Sequence, residues 1–291
     1  INDRGGQWRS HVQVGYESLL TTSFYQPIDV AQRYFVEPAL FGVRSVEDVY
    51  VDNERIAVYR FADLGGNIDF GVNIGRTSQV RVGYINTRRR AEVQTGISQL
   101  PEIDTRDAGL MASAMYDSRE RVTFARHGMA VEVQYLQSDE SLGGDRDWSR
   151  IEAGLRRAVP FGNNAMWVGV AGGTDLGDDL PGDRAFSLGG PKTLAAYRFD
   201  ELRASGYWLA DVSFLWRLVD LVPVKNQAIY GGFGLQAAGL YDRVDRVEDG
   251  EVYSASAYLG GPTPIGTFTI GIGASEDSWA FWLSLGRPVG S

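Results

Sequence analysis

Segment after segment of this chain alternates apolar and polar residues with a period of two, the spacing of a strand rather than of a helix. From Gly206 to Leu218, Trp208, Ala210, Val212, Phe214 and Trp216 fall on one face, with Asp211, Ser213 and Arg217 on the other. Gln79 to Asn86 sets Val80, Val82 and Tyr84 against Arg81, Gly83 and Ile85. Met129 to Leu136 sets Met129, Val131, Val133 and Tyr135 against Ala130, Glu132 and Gln134. Successive side chains of a strand point to opposite faces, so each segment has one greasy and one wet side. About fourteen such strands follow one another along the chain, and no amphipathic helix interrupts them. Several run ten residues or more, beyond the roughly 5–6 usual in soluble sheets.

The longest apolar runs fall far short of the about 18 residues that a membrane-crossing helix needs. A barrel strand needs only about 9–11 residues with every second one apolar, which these segments supply. Alternation alone does not say which face is inside, because a soluble barrel hides its apolar face and a transmembrane barrel turns it outward. Three features favour the membrane. The polar faces carry unlike charges (Arg81, Glu132, Arg150, Glu152, Asp211, Arg217), as a polar lumen with ion pairs would. Short turns alternate with longer acidic loops, and aromatics gather at strand ends: Phe24, Tyr25, Tyr34, Phe35, Phe161 and Trp279. The expected fold is all-β, a transmembrane antiparallel β-barrel formed as one domain over residues 1–291. An acidic loop is expected over 47–53, a loop over 88–104, a glycine-rich acidic loop over 138–147, and a long extracellular loop inserted into the lumen over about 176–205. The polar residues before Trp8 have no apolar core, so no signal peptide is read there and the chain is expected to be a mature piece or a fragment.

Chemistry finds few handles. There is no cysteine, hence no disulfide and no thiolate metal site. A net charge of −9 without a basic stripe argues against nucleic acid. His11 and His127 are the only histidines, and no Gly-x-Ser-x-Gly elbow exists. Both histidines are expected to be structural or solvated, and no catalytic residue, cofactor or metal is assigned. Asp175, Asp178, Asp179 and Asp183 are dense enough for calcium but lack EF-hand spacing, so an acidic outer loop is expected. Arg88, Arg89 and Arg90 are expected to be solvated, with lipopolysaccharide phosphates as the other reading at a membrane rim.

One stretch resembles a known motif. Phe186, the pair Gly189 and Gly190, and Tyr197 lead into the strand from Gly206, with five strands counted from that one to the end. This resembles the sixth extracellular loop and twelfth strand of the sixteen-stranded outer-membrane barrels of assembly factors and two-partner secretion transporters, the BamA kind. Where those proteins carry an Arg-Gly pair before the aromatic, this chain has Ala195-Ala196. The segments Tyr25-Gln26-Pro27, Tyr34-Phe35-Val36 and Phe281 to Pro288 resemble the barrel of patatin-like autotransporters of the PlpD kind, type V subtype d. Superfamily barrels end in an aromatic, whereas this chain ends Val289-Gly290-Ser291.

The resemblance implies about fourteen strands here of a sixteen-stranded native barrel, with the first two strands, one periplasmic POTRA domain and a passenger upstream. It implies an integral protein of the Gram-negative outer membrane that exports or displays an N-terminal patatin-like lipase and catalyses nothing itself. The alternatives are a protein insertase or two-partner transporter barrel and, from another class, a passive diffusion porin. The loop plug would be Phe186, Gly189, Gly190, Leu194, Tyr197 and Arg198. Arg198 or Lys192 would lock onto Asp211 in place of the missing motif arginine. Trp279, Phe281, Leu283 and Leu285 would form the strand read by the barrel assembly machinery. The other partners implied are outer-membrane lipids and lipopolysaccharide, the attached passenger, and a second barrel in a homodimer.

Overall fold

The computed structural model describes residues 5–286 apart from 16, 52–53, 97–101, 121–123, 178, 223–226, 245–248 and 264–265. Strands β1 (Gln7–Gln13), β2 (Glu17–Pro27), β3 (Tyr34–Val51), β4 (Glu54–Ile74) and β5 (Ser78–Gly96) open the chain. They are followed by β6 (Ile103–Asp117), β7 (Gly128–Ser138), β8 (Trp148–Phe161) and β9 (Asn164–Asp175). After a long connection holding the short β10 (Phe186–Leu188) come β11 (Leu202–Val222), β12 (Gln227–Arg243), β13 (Gly250–Thr263), β14 (Gly266–Ala274) and β15 (Trp279–Gly286).

Consecutive strands pair antiparallel in one sheet from β1 to β15, except that β11 pairs directly with β9 while β10 lies off the path against residues 202–204. The segment between β9 and β11 has therefore left the sheet. Among the described residues no ladder joins β1 to β15. The sheet nevertheless curls around an interior, because the segment that left it bonds both to β5 and β6 and to β12 and β13.

The alternation resolves as a membrane barrel requires. Val82, Val170 and Phe281 are 55%, 54% and 62% exposed, and their like-facing neighbours Val80, Val168 and Leu283 are also exposed. The intervening residues turn inward. An apolar band of this extent facing outward is unstable in water and stable against lipid. The polar faces form the lumen wall: Arg81 donates to Glu37 (3.0 Å) and Asp69 (3.3 Å), and Ser23 donates to Glu37 (2.7 Å).

Two expected loops are strands. β3 continues through Val51 with β4 starting at Glu54, and β5 continues to Gly96. At 18, 21 and 19 residues these strands exceed the about 9–11 that a bilayer needs. The excess stands beyond the membrane on the side of the long connection. There water replaces lipid outside, so charged residues such as Arg88 and Arg90 occupy the outer face and the apolar half of the period-two signal vanishes. β11 likewise begins at Leu202, four residues before the alternation becomes readable.

Candidate functional site

The site is built by the connection between β9 and β11, residues 176–201. Its course is fixed first by backbone chemistry. Gly189 and Gly190 have φ of 129° and 87°, a region that side-chain-bearing residues avoid. The Gly190 N–H donates to the Tyr197 carbonyl (2.9 Å), and Thr193 Oγ1 both accepts from the Gly189 N–H and donates to its carbonyl (2.9 Å each). The result is a closed tip. Leu194, Ala195 and Ala196 within it are essentially inaccessible, whereas Arg198 and Phe199 are exposed.

Packing seats the connection on one wall. Phe186, Leu188 and Leu194 join Tyr207 and Leu209 of β11 and Leu240 of β12 in one buried cluster, with Phe186 edge-on to Tyr207 at 5.3 Å between ring centres. Burying such side chains stabilises by about 1.5–3 kcal/mol each. Polar contacts then set the register. The Ala195 N–H donates to Gln236 Oε1 of β12 (3.3 Å), and the Ala196 N–H donates to Ser254 Oγ of β13 (2.9 Å). The Ala196 carbonyl accepts from Ser278 Oγ, between β14 and β15 (2.9 Å). The two alanines that replace the family's Arg-Gly pair are thus held through their backbone, and their small side chains allow that approach.

The opposite wall is gripped by charge. The short 3-10 turn Gly182–Arg184 presents Asp183 and Arg184 to β4–β6. Arg146, between β7 and β8, donates to Asp183 (2.7 and 2.8 Å) and to Asp107 of β6 (3.0 and 3.3 Å). Arg184 Nε donates to the same Asp107 (2.8 Å), and buried Trp148 gives it Nε1–H (2.9 Å). Arg89 of β5 grips Asp63 of β4 in a two-pronged pair (2.8 and 2.7 Å) and also donates to the Asp183 carbonyl. Three carboxylates (Asp63, Asp107, Asp183) meet three guanidiniums (Arg89, Arg146, Arg184), so the cluster is neutral and its hydrogen bonds are charge-assisted. Burial alone would raise the Asp183 carboxyl, but Arg146 first, then Arg89 and Arg184, bring it below its ordinary value.

A third contact lies deeper. Asp211 of β11 is taken by Arg156 of β8 (3.0 Å), where the sequence reading looked to Arg198 or Lys192. The same guanidinium donates to the Lys192 carbonyl (3.4 Å), so the loop tip touches this pair through its backbone. Burial, with Arg156 and Arg119 nearby, pushes the Lys192 ammonium down to about 8. A strand arginine can hold Asp211 because β8 and β11 flank β9 and both turn these residues inward.

Of the residues singled out in the sequence, Phe186, Gly189, Gly190 and Leu194 lie together inside the barrel, Tyr197 is partly buried beside them, and Arg198 lies at the exposed margin. Trp279, Phe281, Leu283 and Leu285 share the outward face of β15, 58–72% exposed. His11 is exposed on β1, and His127 Nε2 meets Glu120 at 2.5 Å. Asp183, considered for an acidic outer loop, is committed to arginines; Asp178 lies outside the described residues, as do Val289, Gly290 and Ser291. Arg89, considered a solvated charge, is inside. Sequence reasoning missed the cluster of Asp63, Arg89, Asp107, Arg146, Asp183 and Arg184. The available signal was parity: continuing the period of β5 from Arg81 puts Arg89 in the lumen and Arg88 and Arg90 outside.

A family model, the Omp85 superfamily domain, matches residues 2–275. Comparison with curated proteins gives no match. Among solved structures, the chain is similar to BamA from Haemophilus ducreyi lacking POTRA domains 1–3 (TM-score 0.71, 12% identity) over 92% of this chain and 60% of that one. It is also similar to CdiB from Acinetobacter baumannii (TM-score 0.62, 11% identity) and CdiB from Escherichia coli (TM-score 0.63, 10% identity). Each likeness covers 92% of this chain, and 49% and 51% of the respective CdiB chains. The chain therefore spans about half to three-fifths of the length of these structures.

Proposed function

Because this chain belongs to the Omp85 superfamily, we propose that it is the outer-membrane barrel of a polypeptide translocator, kept shut at rest by its own inserted loop. The observation that carries the reading is the placement of that loop: residues 183–196 cross the interior and bond to β5, β12 and β13, so nothing large passes until they move. A diffusion porin needs a lumen open at rest, which this arrangement opposes. We assign the exported polypeptide to the same chain, a patatin-like lipase passenger of the type V subtype d kind. The reading rests on the resemblance of Tyr25-Gln26-Pro27, Tyr34-Phe35-Val36 and the β15 segment to those barrels. On this reading the barrel anchors and displays the passenger, and the lipase chemistry resides upstream.

The second reading is an insertase or two-partner transporter acting on a separate polypeptide. It is favoured by the likeness of the barrel to BamA and to the two CdiB proteins. Intact mass and peptide mapping of the native polypeptide from outer membranes separate the two. A larger product carrying a Gly-x-Ser-x-Gly domain is expected. Periplasmic repeats without a lipase would establish the second reading instead, and a product near 32.0 kDa would refute the passenger.

A further inference from the structure

The connection between β6 and β7 emerges at the end of the barrel opposite the inserted loop. Its residues 118–120 and 124–127 are described. A connection facing water on the periplasmic side should carry its polar residues outward and bury nothing. Here Phe124 and Ala125 are 8% and 0% exposed, and Phe124 adopts φ of 54° to turn inward. Its ring stacks on lumen-facing Tyr230 of β12, with centres 5.0 Å apart and planes 23° from parallel. Leu215 of β11, Ala165 of β9 and Ala228 of β12 complete the socket. The Ala125 carbonyl accepts from Trp167 Nε1 of β9 (2.7 Å), and Gly260 of β13 leaves the space that the ring tip fills, since a Cβ there would stand 2.4 Å from Phe124 Cζ.

β6 and β7 lie six and five places from β13 along the sheet path, so this contact crosses the interior instead of following the wall. It shares no residue with the inserted loop's anchors. We propose that Phe124 and Ala125 form a second gate, closing the lumen from the end opposite the inserted loop, so that conduction of a polypeptide requires both to withdraw. The inference rests on the translocator reading. The gate is apolar and shape-matched, whereas the inserted loop is held largely by charge and backbone bonds on one wall and apolar packing on the other. The two ends of the conduit therefore respond to different triggers: an unfolded apolar segment arriving from the periplasm competes for the Tyr230 socket but not for the arginine–aspartate cluster.

Single-channel conductance of the full-length protein in planar bilayers tests this, with heat-modifiable migration confirming that each variant is folded. The variants are deletion of residues 181–200, Phe124→Ala, and the two combined. Gly260→Ala, which crowds the ring tip from β13 and also meets the Phe268 carbonyl of β14, leaves the connection's own residues unchanged and provides a second route, alone and with the deletion. Barrels of this size enclose an aqueous channel once emptied, so the combined variants are expected to conduct on the order of tenfold more than the native protein while each single variant stays near the native level. Full conductance from the loop deletion alone, unchanged by Phe124→Ala or Gly260→Ala, would overturn the gate and leave the translocator reading standing. Folded double variants that stay closed would overturn both.

Discussion

The carbonyl oxygen of Ala195 lies against Gly273 of β14: a Cβ built on that glycine would stand 2.0 Å from it. The barrel wall has been hollowed at this point to admit loop backbone. Gly273→Ala should force the loop tip away from β12 and β13 while leaving the strand ladder intact. The expected cost is about 1–3 kcal/mol, the range for overpacking a filled site. Limited proteolysis near Lys192 should become faster, and unchanged protection would refute the contact.

Arg146 and Asp183 should be strongly coupled. Arg146→Gln and Asp183→Asn each unbalance the buried cluster by one charge, which Asp107 beside Arg146 and Arg89 and Arg184 beside Asp183 offset only in part, so each should cost up to the about 3–5 kcal/mol of breaking a buried pair. The double variant should lose less than the sum, with a coupling of about 0.5–3 kcal/mol. Unfolding temperature read by heat-modifiable migration closes the cycle. Additive losses would mean that the pair does not act as a unit.

The same latch should be sensitive to acid. The Asp183 carboxyl titrates below its ordinary value of 3.8 in the folded protein, so the unfolded chain binds the proton first as pH falls. The latch's contribution is therefore complete above that value and is lost as pH drops through the lower folded-state value. Loop accessibility should stay constant from neutral pH down to the ordinary carboxylate range and rise only below it. Asp183→Asn should flatten that rise.

Gln236→Ala and Ser254→Ala each remove an acceptor from a buried loop N–H. A buried donor left without a partner costs about 1–3 kcal/mol. Amide exchange at Ala195 and Ala196 should accelerate in the corresponding variant, while exchange at β11 stays slow. Equal acceleration at both places would point to general loosening of the barrel.

Gly189→Ala should be the most damaging single methyl in the loop. Its φ of 129° is strained for any residue with a Cβ, and the added carbon would stand 1.9 Å from the Arg198 carbonyl. Backbone strain of this kind costs about 1–3 kcal/mol before the clash is counted. Loss of the protected tip by proteolysis, with the barrel still heat-modifiable, is the expected result.

The strand pattern was legible in the sequence because period-two alternation is a local consequence of a chain that meets lipid on one side and a wet lumen on the other. Val80 to Ile85 and Trp208 to Arg217 needed no partner to be read. The glycine pair and Phe186 were legible for a similar reason, since a tight tip needs residues free of a Cβ wherever it is built. Legibility failed where the environment changed along a strand. Beyond the membrane β5 turns Arg88 and Arg90 outward to water, so this stretch looks like loop although it is strand, as residues 47–51 of β3 also are. What only the tertiary structure decided is which charges face one another. Asp107 and Asp183 are 76 positions apart in the chain, and Arg146 reaches both because the sheet curls and the loop crosses it. Asp211 meets Arg156, 55 positions away, for the same reason: ion pairing is settled by distance across the lumen, and sequence spacing carries no information about that distance.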